Sequence, residues 1–268
     1  MKKLFFFDID NTIMTKNYQI LSQTVKLIKE LSQNPNFVLG IATGRNLTGI
    51  QKIKKILPYF KNLVLMNGSL VICDKKIIYE QKIEKNIFKK ILYYVKKLKI
   101  GMGIVGSKKS EIIVVNQSIE QITETDGQNK WIMKEGRKIF INNYFSLQKL
   151  SFEIYQIWLF HKNHKIIYEL TEKIKLFKPY FSRIGRADYV FFNLNKSIGI
   201  EKIKKKYSGY QLICLGDSFN DFEMLKLADI GISMGNSESK EIFKISNLIA
   251  PKIEENLLYD FFKKENLF

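Results

Sequence analysis

MKKLFFFDIDNT, residues 1–12, decides how this chain is read. An uninterrupted apolar run, Leu4 to Phe7, stops abruptly at Asp8, Ile9 and Asp10. Such a run is too short for a buried helix and suits a strand covered on both faces. The same shape recurs in FVLGIATGR (37–45), LVLMNG (63–68), LICLGDS (212–218) and IGISMGN (230–236). Each ends in glycine or polar residues.

Helical patterns separate these runs. Residues 21–33 place Val25, Ile28 and Leu31 on one face, and 46–57 do so with Ile50, Ile53, Ile56 and Leu57. The stretches 196–206 and 221–228 have the same character. Strands alternating with helices imply a parallel sheet with right-handed crossovers, so the expected class is α/β with a Rossmann-like core.

The alternation breaks after residue 80. Between 82 and 185 the sequence reads as helix 84–98, strand-like GMGIVG and EIIVVN, a polar stretch 116–130, KIFINN, IYQIWLF and a helix near 165–177. This mixture is expected to be an inserted α+β domain, with 1–81 and 186–268 forming the core. RADYVFFNL (186–194) reads as the return toward that core.

The 268 residues are 46% hydrophobic and 26% charged, which suits a folded chain and not a disordered one. No apolar run approaches the roughly 20 residues that cross a bilayer. The four-residue run at the start is too short for a secretory signal, so a cytoplasmic location is expected. Cys73 and Cys214 lie in apolar runs without metal-ligand spacing, which fits a reducing compartment.

The net charge is +18, and residues 82–185 contribute most of it, with twenty basic against nine acidic residues. That balance raises nucleic acid as a partner. Only four of the 44 basic residues are arginine, the residue suited to bidentate phosphate and guanine contacts. The lysine excess follows an Ile-, Asn- and Lys-rich composition throughout. Nucleic acid is therefore not the expected partner.

In open parallel sheets, ligands bind beyond the carboxyl ends of the strands. The runs above deliver to that edge Asp8 and Asp10, Thr43 with Gly44 and Arg45, Asn67 with Gly68, and Asp217 with Asn220 and Asp221. Carboxylates that converge repel one another unless a cation neutralises them, and an oxygen-only ligand set points to Mg²⁺. Asp is a known phospho-acceptor, and Asp8 ends its strand where a phosphorus could sit. Asp10, two residues on, shares its side of an extended chain and suits a general acid that later becomes a base. Thr43 and the amides near Gly44 can hold a phosphoryl oxygen at a helix start. Lys196, at the opening of a helical stretch, can balance the charge on a phosphoryl group.

This set resembles the haloacid dehalogenase-like phosphatase superfamily, whose four motifs appear in order as DIDNT (8–12), ATGR (42–45), Lys196 in NKSIGIEKI, and GDSFND (216–221). The insertion lies where members with a type-two cap carry it. ATGR, MNGS (66–69) and GISMGNS (231–237) are most similar to the Cof-type subfamily. The resemblance implies Asp8 as nucleophile and Asp10 as acid/base. It implies Mg²⁺ bound by Asp8, the Asp10 carbonyl and Asp217, with Asp221 acting through water. Thr43, Gly44, Lys196, Asn220 and the Ile9 amide would then hold the phosphate. Asn11 departs from the family's glycine, a change that asparagine's tolerance of left-handed backbone should absorb.

Arg45 and Asn67 stand between substrate contact and structural hydrogen bonding. His161 and His164 have helical i, i+3 spacing but no acidic or cysteine partner nearby, so a solvated loop is expected. The aromatic run YQIWLF (155–160) reads as core of the inserted domain. The expected activity is hydrolysis of small phosphate monoesters such as sugar phosphates, nucleotides, flavin mononucleotide or pyridoxal phosphate, by a monomer or weak homodimer. The alternatives are a phosphomutase on the same fold and a basic nucleic-acid-binding protein that retains an inactive phosphatase fold.

Overall fold

The computed structural model of the chain describes residues 1–108, 110–114, 137–140, 153–181 and 185–268. The polar stretch 116–130 lies outside them, as do the last residues of EIIVVN and KIFINN. The chain divides into two compact units, Met1–Glu80 with Asn195–Phe268, and Gln81–Leu194.

The first unit opens with β1 (Lys3–Phe7), α1 (Ser22–Gln33), β2 (Phe37–Ala42), β3 (Asn62–Leu65), β4 (Leu70–Cys73) and β5 (Lys76–Glu80). The second unit contains α2 (Lys85–Lys97), β6 (Gly101–Val105), β7 (Ser110–Val114), β8 (Arg137–Phe140), β9 (Gln156–Phe160), α3 (His164–Ile174), β10 (Phe177–Phe181) and β11 (Arg186–Phe191). The first unit then resumes with α4 (Lys196–Lys204), β12 (Gln211–Gly216), α5 (Phe222–Leu227), β13 (Ile230–Met234), α6 (Lys240–Ile245), β14 (Leu248–Ala250) and α7 (Leu258–Lys264).

The core sheet runs β14-β13-β12-β1-β2-β3-β4-β5, parallel from β14 to β3, with β4 and β5 added antiparallel. β1 lies between β12 and β2, and Leu4 through Phe7 are fully buried. Phe7 stacks on Phe262 of α7 and Phe5 meets the same ring at a tilt, while Leu4 and Phe6 join a cluster with Ile200, Ile203 and Met224 on the other face. Each such phenylalanine contributes about 1.5–3 kcal/mol by burial. Gly40 makes room for this packing, since a Cβ there would lie 2.4 Å from the Phe6 ring.

The helix expected at 46–57 is replaced by two short 3₁₀ segments, Gly49–Ile53 and Leu57–Tyr59. Gly49 opens the first segment and Pro58 lies within the second, and both residues disfavour a continuous α-helix. Its apolar face is still buried through Ile50, Ile53 and Ile56.

The second unit's sheet runs β10-β11-β9-β6-β7-β8 and is antiparallel except between β7 and β8. Residues 186–194, expected to belong to the core, lie in this unit. β11 pairs with both β9 and β10, and Tyr189 stacks on Phe177. The chain crosses back only at Asn195, because the alternating Ala187 and Tyr189 complete the apolar face formed by Leu159 and Ile157. The run 155–160 is buried, as core should be. His161 and His164 join no acid or cysteine cluster among the described residues; His164 stacks on Phe181.

Candidate active site

Four parallel strands, β1, β2, β3 and β12, end at one edge of the core sheet, and the polar residues of the motifs follow immediately. Asp8 continues the ladder by donating its amide to the Leu215 carbonyl at 2.9 Å. The turn after it is closed by the Ile9 carbonyl, which accepts the amides of Ile13 and Met14. Asn11 takes a left-handed backbone at φ 56°.

Lys196 is the first residue of α4, whose start is capped by the Asn195 side chain accepting the Ile198 amide. Two glycines bring that helix end close. A Cβ on Gly199 would lie 2.5 Å from Val64 of β3, and one on Gly68 would lie 2.3 Å from the Asn195 carbonyl oxygen. Fully buried, the Lys196 ammonium donates at 2.6 Å to both Asp8 and Asp221.

Both oxygens of Asp221 are occupied by protein donors. Oδ1 accepts from Lys196, and Oδ2 accepts the amides of Asp217 at 3.1 Å and Ser218 at 3.0 Å. Gly216 permits this, because a Cβ there would lie 2.4 Å from Cγ of Asp221. Asp221 therefore organises the loop after β12 and anchors Lys196.

Asp8, Asp217 and Asp221 each present a carboxylate oxygen within 4.8 Å of the others. One buried lysine cannot neutralise three buried carboxylates. Burial first, then the neighbouring acids, push the Asp8 carboxyl up to about 7 against the opposing pull of Lys196. Asp217 is raised well above the usual range by burial, Asp8 and Asp221. Burial works against the Lys196 charge, but Asp221 and Asp8 outweigh it and hold the ammonium protonated. An oxygen-lined, over-negative site of this kind fits a hard divalent cation.

Asp10 is half-exposed and grips Arg45 through two hydrogen bonds. Thr43 is buried; its hydroxyl accepts the Arg45 amide at 3.2 Å and its carbonyl the Asn67 amide at 3.0 Å. Gly44 lies in the bend that follows, and no α-helix starts there. Asn67 is buried with left-handed backbone at φ 53° and accepts from the Asn220 side chain at 3.1 Å. The motif residues thus share one neighbourhood, with Arg45 directed at Asp10.

Sequence reasoning passed over three supports. Ser218 donates to Asn220, Gly216 admits Asp221, and Asn236 bonds the Asn11 carbonyl at 2.9 Å. Asn236 stands in the quoted GISMGNS run, whose placement after a strand was the available signal.

The sequence profile of the haloacid dehalogenase-like hydrolases matches residues 5–262. The chain belongs to that family. Among its curated relatives, "Putative phosphatase YkrA" of Bacillus subtilis is 24% identical over 260 residues, covering 95% of this chain and 94% of that protein. A Streptococcus pyogenes relative, "Putative bifunctional phosphatase/peptidyl-prolyl cis-trans isomerase", is also 24% identical over 265 residues. That match covers 96% of this chain, which spans 53% of the streptococcal protein. Among solved structures, BT1666 from Bacteroides thetaiotaomicron superposes with a TM-score of 0.84 at 17% identity, covering 100% of this chain and 96% of that one. The subclass IIB sugar phosphatase BT4131 gives 0.81 at 19%, with both chains fully covered. At these identities the superpositions establish the shared fold of this haloacid dehalogenase-like chain. No helix among the described residues is long and apolar enough to cross a membrane.

Proposed function

We propose that this family member is a Mg²⁺-dependent phosphatase that hydrolyses small phosphate monoesters through a phosphorylated Asp8. The observation that carries the reading is the buried Asp8 carboxylate, hydrogen-bonded to Lys196 and clustered with Asp217 at the strand edge. Asp8 Oδ attacks phosphorus, forming an aspartyl phosphate as the bond to the leaving oxygen breaks. Asp10, as the acid, gives its proton to that oxygen. The resulting Asp10 carboxylate then takes a proton from water as the water oxygen bonds to phosphorus and the Asp8–phosphorus bond breaks, regenerating Asp8.

Asp8, Asp217 and the Asp10 carbonyl would hold Mg²⁺, with Asp221 acting through water. When bound, the ion offsets phosphoryl charge and aligns its oxygens with Asp8. Lys196 balances the remaining negative charge, and Thr43, Gly44, Asn220 and the Ile9 amide supply phosphate donors. The second unit is proposed as the cap that selects the substrate, its excess of basic residues favouring anionic esters. A further relative, the 5-amino-6-(5-phospho-D-ribitylamino)uracil phosphatase YcsE of Bacillus subtilis, 22% identical, keeps phosphorylated polyols among the candidates. Two buried free cysteines, Cys73 and Cys214, support a reducing, cytoplasmic setting.

The test is hydrolysis of p-nitrophenyl phosphate with and without Mg²⁺, by the wild type and by Asp8→Asn. Metal-dependent turnover that Asp8→Asn abolishes supports the reading. Equal turnover by the variant removes Asp8 from its role.

A further inference from the structure

Arg45 is tied down along its whole length. Nε donates to Oδ2 of Asp10 at 2.8 Å and Nη2 to Oδ1 at 2.7 Å, while Nη1 donates to the Gly49 carbonyl at 3.2 Å. Its amide donates to the Thr43 hydroxyl and its carbonyl accepts the Met66 amide. The Tyr18 ring lies 5.9 Å from the guanidinium carbon, on a residue with left-handed backbone at φ 60°. The fork is thus aligned before it meets Asp10, and such a pair fixes orientation as well as charge.

Asp10 remains open to solvent in this pairing. The side chain stays 50% exposed, so a leaving oxygen or a water can still reach it. A proton-transfer group must lie within hydrogen-bond reach of the atom it serves, and a misplacement of about 1 Å costs about 100-fold in rate.

We propose that Arg45 is a positioning residue that sets the orientation of the Asp10 carboxylate for proton transfer and does not itself bind the substrate phosphate. The proposal rests on the reading of Asp10 as acid and base. Lys196 and the strand-end donors already serve the phosphoryl group, whereas Arg45 spends all three arms of its fork on Asp10 and Gly49.

The experiment compares wild type, Arg45→Gln, Arg45→Lys, Asp10→Asn and the Arg45→Gln/Asp10→Asn double variant with Mg²⁺. Phenyl phosphate and p-nitrophenyl phosphate are the substrates, the first needing more help from an acid at its leaving oxygen. Arg45→Gln is expected to lower kcat about 100-fold on phenyl phosphate, less on p-nitrophenyl phosphate, with KM nearly unchanged. In the Asp10→Asn background it should cost nothing more, because the two residues act as one unit. Arg45→Lys keeps the charge without the fork and should behave like Arg45→Gln.

A raised KM with kcat intact, or a full loss that persists in the Asp10→Asn background, overturns the proposal in favour of direct substrate contact. Wild-type rates in Arg45→Lys overturn it in favour of charge alone. A separate result, unchanged kcat in Asp10→Asn, sinks the acid/base reading itself and the proposal with it.

Discussion

The Lys196 ammonium lies 2.6 Å from Oδ1 of Asp8 inside the protein, although the residues stand 188 positions apart in sequence. The same nitrogen meets Asp221 at an equal distance, so one cation joins the acids of the first and fourth motifs.

Removing it should be costly. Lys196→Met leaves Asp8 and Asp221 buried without their shared countercharge, and breaking such a pair costs about 3–5 kcal/mol. Urea unfolding in EDTA should show the loss, with partial recovery when Asp221→Asn is added. An unchanged midpoint would show that the bridge carries no stability.

Two glycines should resist even the smallest side chain. Gly216→Ala drives a methyl group into Asp221, and overpacking of this kind costs about 1–3 kcal/mol. Gly68→Ala meets the Asn195 backbone and must also hold φ +100°, so Lys196 itself should shift. Denaturant midpoints together with kcat measure both effects. Wild-type values for both variants would place Asp221 and Lys196 under other control.

Stability without metal should fall as pH rises. Folded Asp8 keeps its proton up to about 7, whereas the unfolded chain releases it in the ordinary carboxylate range near 4. Between those limits the folded state binds more protons, so its stability is complete below the window and declines upward through it. Asp217, also raised, acts in the same direction. Mg²⁺ competes with these protons, so its stabilisation should grow with pH. Thermal unfolding in EDTA and in Mg²⁺, at about pH 5 and about pH 8, should show the larger metal effect at the higher pH. A metal effect independent of pH would detach the cation from Asp8 and Asp217.

Much of this was legible before any coordinates. The run Leu4–Phe7 and its counterparts at 37–45 and 212–218 announced strands because an apolar segment that ends sharply in acid or glycine has few other uses. That Asp8 and Asp217 would meet followed from the rule that ligands gather beyond the carboxyl ends of parallel strands, and in the structure their two strands are neighbours. The backbone of 46–57 was less legible, because periodicity specifies which face is buried but not whether the turn is α or 3₁₀. Residues 186–194 were misplaced because an alternating strand fits either unit equally well until its partners are known. The Arg45–Asp10 pair was hidden for a similar reason: ATGR shows that an arginine sits at the edge but not which acid it meets.

The most direct test of the account is chemical trapping of the intermediate. The enzyme is quenched in acid during turnover of p-nitrophenyl phosphate with Mg²⁺, and its peptides are read by mass spectrometry. A phosphoryl adduct on the peptide that contains Asp8, absent in Asp8→Asn, is the predicted result. An adduct at another residue, or full turnover by Asp8→Asn, would contradict it.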